Sequence, residues 1–116
     1  MDIQSFYQTV GGNYQEVLGR LMTDARIMKY VRRFPESGDY TAAKAALEGQ
    51  RWEELFRYSH NLKGVGLNLG LGDLASAASA LCETVRHGAP AEAPVAEMEK
   101  VTAAYEKTIA AIGQLD

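Results

Sequence analysis

Apolar residues recur along this chain at intervals of three and four, and no window shows the strict alternation of a half-buried strand. Residues 2–10 place Ile3, Phe6, Tyr7 and Val10 on one side of a short helix, which Gly11-Gly12 closes. Asn13 and Glu16 have capping-box spacing ahead of a second short helix carrying Tyr14, Val17, Leu18 and Leu21. Thr23-Asp24 predicts a further N-cap, and the helix after it turns Ile27, Val31 and Phe34 inward until Pro35 disfavours its continuation. The other face of that helix carries Lys29, Arg32 and Arg33, a pattern that fits a solvated basic surface. Gly38 and Asp39 open the next helix, which runs to Glu48 with Tyr40, Ala43, Ala46 and Leu47 inward, and Gly49-Gln50 makes a tight corner.

The stretch from Arg51 to Leu69 predicts the longest continuous helix up to that point. At about 100° per residue, and with His60 set at zero, Leu55, Tyr58, Leu62, Val65 and Leu69 fall on the far side as a core stripe. Within roughly 60° of His60 lie Glu53, Phe56, Lys63, Gly64 and Leu67. An imidazole is thus expected on the solvent face, with a lysine, a glycine and two large apolar residues beside it. Gly64 and Gly66 each cost about 1 kcal/mol in a helix relative to alanine, so packing alone gives no reason for them. Gly64 lies one turn from His60 and clears space beside the ring. Phe56 and Leu67 gain nothing from facing water, and apolar groups that bracket a polar reactive residue suggest a docking surface.

Gly70 and Gly72 stop this helix, and Asp73 is the expected N-cap of the next, in which Leu74, Ala78, Leu81 and Val85 form a bundle seam. His87-Gly88 ends it, residues 88–93 form a loop, and Pro94 fits a first helical position. The last helix carries Val95, Met98, Thr102, Tyr105, Ile109 and Ile112 as its predicted stripe. Four longer antiparallel helices with short links make an all-α, up-down four-helix bundle with short additional N-terminal helices laid across one end. One domain of 116 residues is expected, with residues 1–23 as the helical extension and 24–112 as the bundle.

Charge and inventory narrow the chemistry. A net charge of -3 argues against nucleic acid as a partner. No apolar run approaches the length of a membrane span, and Met1-Asp2-Ile3-Gln4 has neither the basic region nor the apolar core of a signal peptide. The single Cys82 forms no internal disulfide, which fits a reducing, cytoplasmic compartment. His60 and His87, with one cysteine and no paired acidic motif, offer no metal-ligand spacing, and no phosphate-cradling loop precedes a helix. No metal and no cofactor are therefore expected. A monomer is the simpler expectation for a domain that presents one free face.

His60-Asn61-Leu62-Lys63-Gly64, followed by Leu69-Gly70, resembles the histidine-containing phosphotransfer (HPt) domain family. That family's signature is a small residue, His, any residue, Leu, Lys, Gly, then an apolar stretch and another Gly. Here Ser59 is the small residue, and Asn61 replaces the commoner threonine. Upstream, Ala46-Leu47-Glu48-Gly49-Gln50-Arg51-Trp52 is similar to the family's lead-in, with Gln50-Arg51 where Gly-Asp is usual. The likeness spans residues 24 to 112. It implies a phosphocarrier of a two-component phosphorelay without autonomous kinase activity: His60 accepts a phosphoryl group from a receiver-domain aspartate and passes it to another. It also implies a response-regulator receiver domain and a hybrid sensor histidine kinase as partners, with Mg²⁺ on the receiver. Lys63 would stabilise the phosphoryl charge and Gly64 would leave room for the partner, while Phe56, Leu67, Glu53 and Arg57 would face it. Two other readings stand beside this one: a helical docking or inhibitor protein that carries no phosphate, and the phosphoacceptor domain of a larger sensor kinase. Intact His60, Lys63 and Gly64 count against the first.

Overall fold

The computed structural model describes residues 1–116 and contains seven α-helices: α1 (Ile3–Thr9), α2 (Tyr14–Leu21), α3 (Asp24–Arg33), α4 (Asp39–Glu48), α5 (Trp52–Leu69), α6 (Gly72–Thr84) and α7 (Val95–Gly113). A single 3₁₀ turn, Phe34–Glu36, follows α3 where Pro35 interrupts it. The three N-terminal helices each start on a side-chain cap. Asp2, Asn13 and Thr23 accept from the backbone N–H of Ser5, Glu16 and Arg26 respectively.

Helices α4 to α7 form an antiparallel up-down bundle, and the contacts along each pair run in opposite senses. The Asn61 amide at mid-α5 donates to Asp39 at the start of α4, at 3.3 Å. Gly66 near the end of α5 touches Ala75 near the start of α6, and Lys107 late in α7 pairs with Asp73 in the first turn of α6. Tyr40 of α4 stacks on Tyr105 of α7 with ring centroids 4.1 Å apart, and its hydroxyl lies 2.9 Å from that of Thr102, which closes the ring of four. Leu55, Leu62, Leu74, Leu81 and Val101 are fully buried at the centre. Each such side chain contributes about 1.5–3 kcal/mol on leaving water.

The first 23 residues cover one end of this bundle. Phe6, Tyr7, Val10 and Val17 are buried in the same apolar cluster as the bundle core. Beyond them, α3 packs on α2 and touches α5. The chain ends meet there as well: the amino terminus donates to the Gln114 carbonyl at 2.7 Å, and the Arg32 guanidinium donates to the Asp116 carbonyl at 2.7 Å. Arg32 is therefore tied to the carboxyl-terminal residue, while Lys29 and Arg33 remain exposed as the basic pattern suggested.

Several local expectations are revised. Helix α6 begins at Gly72 with Leu71 as its N-cap, so Asp73 is a first-turn residue whose carboxylate turns to Lys107. Helix α6 also ends at Thr84, short of His87, and Pro94 is the residue before α7. In α7 the buried side is Met98, as predicted, then Val101, Ala104, Thr108 and Ala111, each one residue short of the predicted Thr102, Tyr105, Ile109 and Ile112, and Val95 is 55% exposed. The reason is size. Small residues allow α7 to approach its neighbours closely, while Tyr105, Ile109 and Ile112 cover the flanks of the core. In α5 the buried side is Leu55, Ser59, Leu62, Gly66 and Leu69, with Tyr58 and Val65 only half-buried. The inward face is thus centred roughly 40° from the expected stripe.

The corner before α5 gives a physical reason for the residues usual there. Gln50 has φ +54°, a left-handed conformation that glycine adopts freely and other L-residues at a cost of about 1–2 kcal/mol. Arg51 is the N-cap of α5 and offers no side-chain acceptor, whereas an aspartate would cap it. Instead Arg51 reaches forward to Glu54 at 2.6 Å, and Glu53 and Glu54 place negative charge in the first turn.

Candidate functional site

Helix α5 is oriented by the residues on either side of His60. Ser59 is fully buried, and its hydroxyl donates back to the Leu55 carbonyl at 2.7 Å and the Phe56 carbonyl at 3.1 Å. This leaves the buried hydroxyl satisfied within its own helix. Leu62 is also buried. With positions 59 and 62 both fixed inward, the helical repeat sends the side chain at 60 outward, and His60 is exposed. The Phe56 ring lies one turn below, its centroid 5.8 Å from that of the imidazole and tilted by 43°. Phe56 is half-buried against the core, so it supports the imidazole from one side.

Lys63 is half-buried one turn above His60, and Gly64 is exposed beside it. The two inner glycines of α5 differ in what surrounds them. A Cβ on Gly64 would meet nothing within 4 Å, so no part of this chain requires a glycine there. A Cβ on Gly66 would come 3.0 Å from the Ala75 Cβ and 3.1 Å from its backbone N and Cα. Gly66 is therefore the close-approach point of α5 and α6 and does not belong to the histidine face. The facing small residue, Ala75, was the available sign of this.

The other expected site residues lie on the same exposed side. Leu67 is 59% exposed, and Glu53 is exposed. Arg57 is exposed and lies over the Tyr58 ring at 4.8 Å, donating to the Tyr58 hydroxyl at 3.1 Å. That hydrogen bond, and the nearby charges of Glu54 and Glu53, hold the Arg57 guanidinium even more firmly protonated than usual. Lys63, Leu67 and Glu83 line a groove of about 700 Å³ between α5 and α6, floored by Gly66 and Ala75. The hydrogen bond from Arg86 keeps the Glu83 carboxyl below its ordinary range, with Lys63 and His87 adding smaller effects in the same direction. His87 itself is exposed beyond the end of α6 and outside the histidine face.

The last turn of α5 is held by side chains of other helices that periodicity did not assign to it. Gly70 has φ +72° and ends the helix in the left-handed conformation, and the Leu71 N–H reaches back to the Gly66 carbonyl at 2.8 Å. One guanidinium nitrogen of Arg20, in α2, donates to the carbonyls of Leu67 at 2.9 Å and Asn68 at 3.1 Å. The buried Tyr7 hydroxyl, from α1, donates to the Leu69 carbonyl at 2.7 Å. Burial raises the Tyr7 phenol well above its ordinary pKa and keeps it a donor. The carbonyls of Gly66, Leu67, Asn68 and Leu69 are thus all taken, two of them by a side chain some fifty residues away in sequence.

The structure is a four-helix bundle with an exposed histidine at the middle of one long helix. A family model described as the Hpt domain matches residues 37–114, which contain all four bundle helices. The chain belongs to the Hpt domain family, whose function is phosphotransfer in two-component signalling, alongside receiver domains and histidine kinases. No curated protein and no solved structure matches the chain. No helix is long and apolar enough to cross a membrane.

Proposed function

We propose that His60 is the phosphoacceptor of a phosphorelay and that this chain shuttles phosphoryl groups between receiver domains. The observation that carries the proposal is the exposed imidazole held between the buried anchors Ser59 and Leu62, within the family match. In the forward step the neutral Nε2 attacks phosphorus on a receiver's aspartyl phosphate. The N–P bond forms as the carboxylate O–P bond breaks, its electron pair returns to the carboxylate, and the other ring nitrogen keeps its proton. The reverse step delivers the group to another receiver. Lys63 supplies a mobile positive charge to the phosphoryl oxygens as charge shifts between the two partners. Gly64 supplies clearance for the receiver's loops, a role supported by the empty space around it within this chain. Phe56, Leu67, Glu53 and Arg57 form the docking rim. Mg²⁺ belongs to the receiver, and a hybrid sensor kinase is the natural source of the phosphoryl group. The expected setting is the cytoplasm, with the domain acting as a monomer.

The test is transfer from a panel of phosphorylated receiver domains to the purified chain. Wild type should become labelled and His60→Gln should not, with unchanged helical circular dichroism. Lys63→Ala should slow transfer by about a hundredfold or less without abolishing it. An unchanged Lys63→Ala rate removes that side chain from the mechanism, and labelling of His60→Gln removes His60.

A further inference from the structure

We infer that Arg20 is a positioning residue for phosphoryl exchange, acting from outside the matched domain by fixing the last turn of the histidine helix. The inference rests on the phosphorelay reading above. The family match begins at residue 37, so α1 and α2 lie outside it. Yet the side chains that hold the end of α5 come from those two helices, Arg20 at Leu67 and Asn68 and Tyr7 at Leu69.

Leu67 makes this more than an ordinary helix cap. It is a large apolar residue left 59% exposed, and it lies two turns along α5 from His60 on the same side. Its position depends on a final turn that, without outside donors, would fray as helix ends do. Arg20 bonds the carbonyl of that residue and also lines the groove that Lys63, Gly66 and Leu67 share. The same guanidinium therefore orders the turn and forms part of the wall that a partner would meet. A docking surface ordered before contact loses less freedom on binding. Tyr7 acts on the adjacent carbonyl from the buried side, and the Val10 carbonyl accepts from the Asp73 N–H at 3.0 Å, so α1 also steadies the start of α6.

Loss of the clamp should weaken docking and leave the intrinsic reactivity of His60 alone. Arg20→Ala should raise the KM for a receiver by about tenfold, with kcat within about twofold of wild type. Phosphorylation of His60 by the small donor phosphoramidate, which needs no docking, should be unchanged. Amide hydrogen exchange should accelerate at residues 66–71 and stay constant at 55–62. Arg20→Lys should recover part of the KM, because an ammonium reaches one carbonyl but cannot span the pair as well. All assays are run at a temperature where each variant is folded by circular dichroism, and Tyr7→Phe, which keeps the ring, gives a second perturbation of the same turn. Faster exchange with an unchanged KM makes Arg20 a structural cap only and overturns the inference. Unchanged exchange shows that the clamp does not hold the turn and overturns it too. If wild type is labelled by phosphoramidate but exchanges with no receiver, the phosphorelay reading fails and this inference falls with it.

Discussion

Around His60, helix α5 is held by its buried side and, at one flank, by the Asn61–Asp39 hydrogen bond, whereas its last turn is held from several directions by distant parts of the chain. At the first place Leu55, Ser59 and Leu62 face the core while His60 and Gly64 have open space outward. At the second, Arg20 and Tyr7 take up carbonyls, Gly70 closes the helix, and Gly66 presses α5 onto α6. The difference separates two demands on one helix. On the proposed phosphorelay reading, the half that carries His60 admits another protein, so nothing of its own chain covers it. On that reading, geometric precision would come from the inward residues and from the anchored end, about one and a half turns beyond Lys63.

The comparison can be tested from both sides. The largest effect is expected at Leu62, a fully buried anchor of the half that carries His60. Leu62→Ala should cost about 2–5 kcal/mol in urea unfolding, and a loss below about 1 kcal/mol would mean that the core does not hold the helix there. The glycines should then respond in opposite directions. Gly66→Ala must displace Ala75 and should destabilise by about 1–3 kcal/mol, less what helix propensity returns. Gly64→Ala meets nothing within the chain and should stabilise the fold by up to about 1 kcal/mol, while slowing exchange with a receiver. A destabilised Gly64→Ala, or one that is more stable and exchanges at the wild-type rate, would break the assignment of Gly64 to partner clearance.

Much of the architecture was legible because it is periodic or local. The helices, the caps at Asn13 and Thr23, the stop at Gly70 and the α6 seam from Leu74 to Val85 all follow from spacing or from one or two residues. The outward placement of His60 was legible for the same reason. What periodicity misread was depth. In the second half of α7 the large residues Tyr105, Ile109 and Ile112 lie at the flanks while Ala104, Thr108 and Ala111 face inward, because close helix approach is set by small side chains and not by hydrophobicity. Gly66 was misassigned for the same reason, since its partner Ala75 lies on another helix. Arg20 and Tyr7 were invisible because a carbonyl acceptor leaves no mark in sequence. Nothing local distinguishes Arg20 from any exposed arginine, and only the fold brings α2 to the end of α5.

The central claim is that His60, and no other group, carries the phosphoryl. It is tested most directly by labelling wild type from a phosphorylated receiver, measuring the acid and base lability of the adduct, and locating it by mass spectrometry under alkaline conditions. The account predicts an adduct that is lost in acid, survives base and sits on His60. An acid-stable adduct, or one placed on His87, would contradict it.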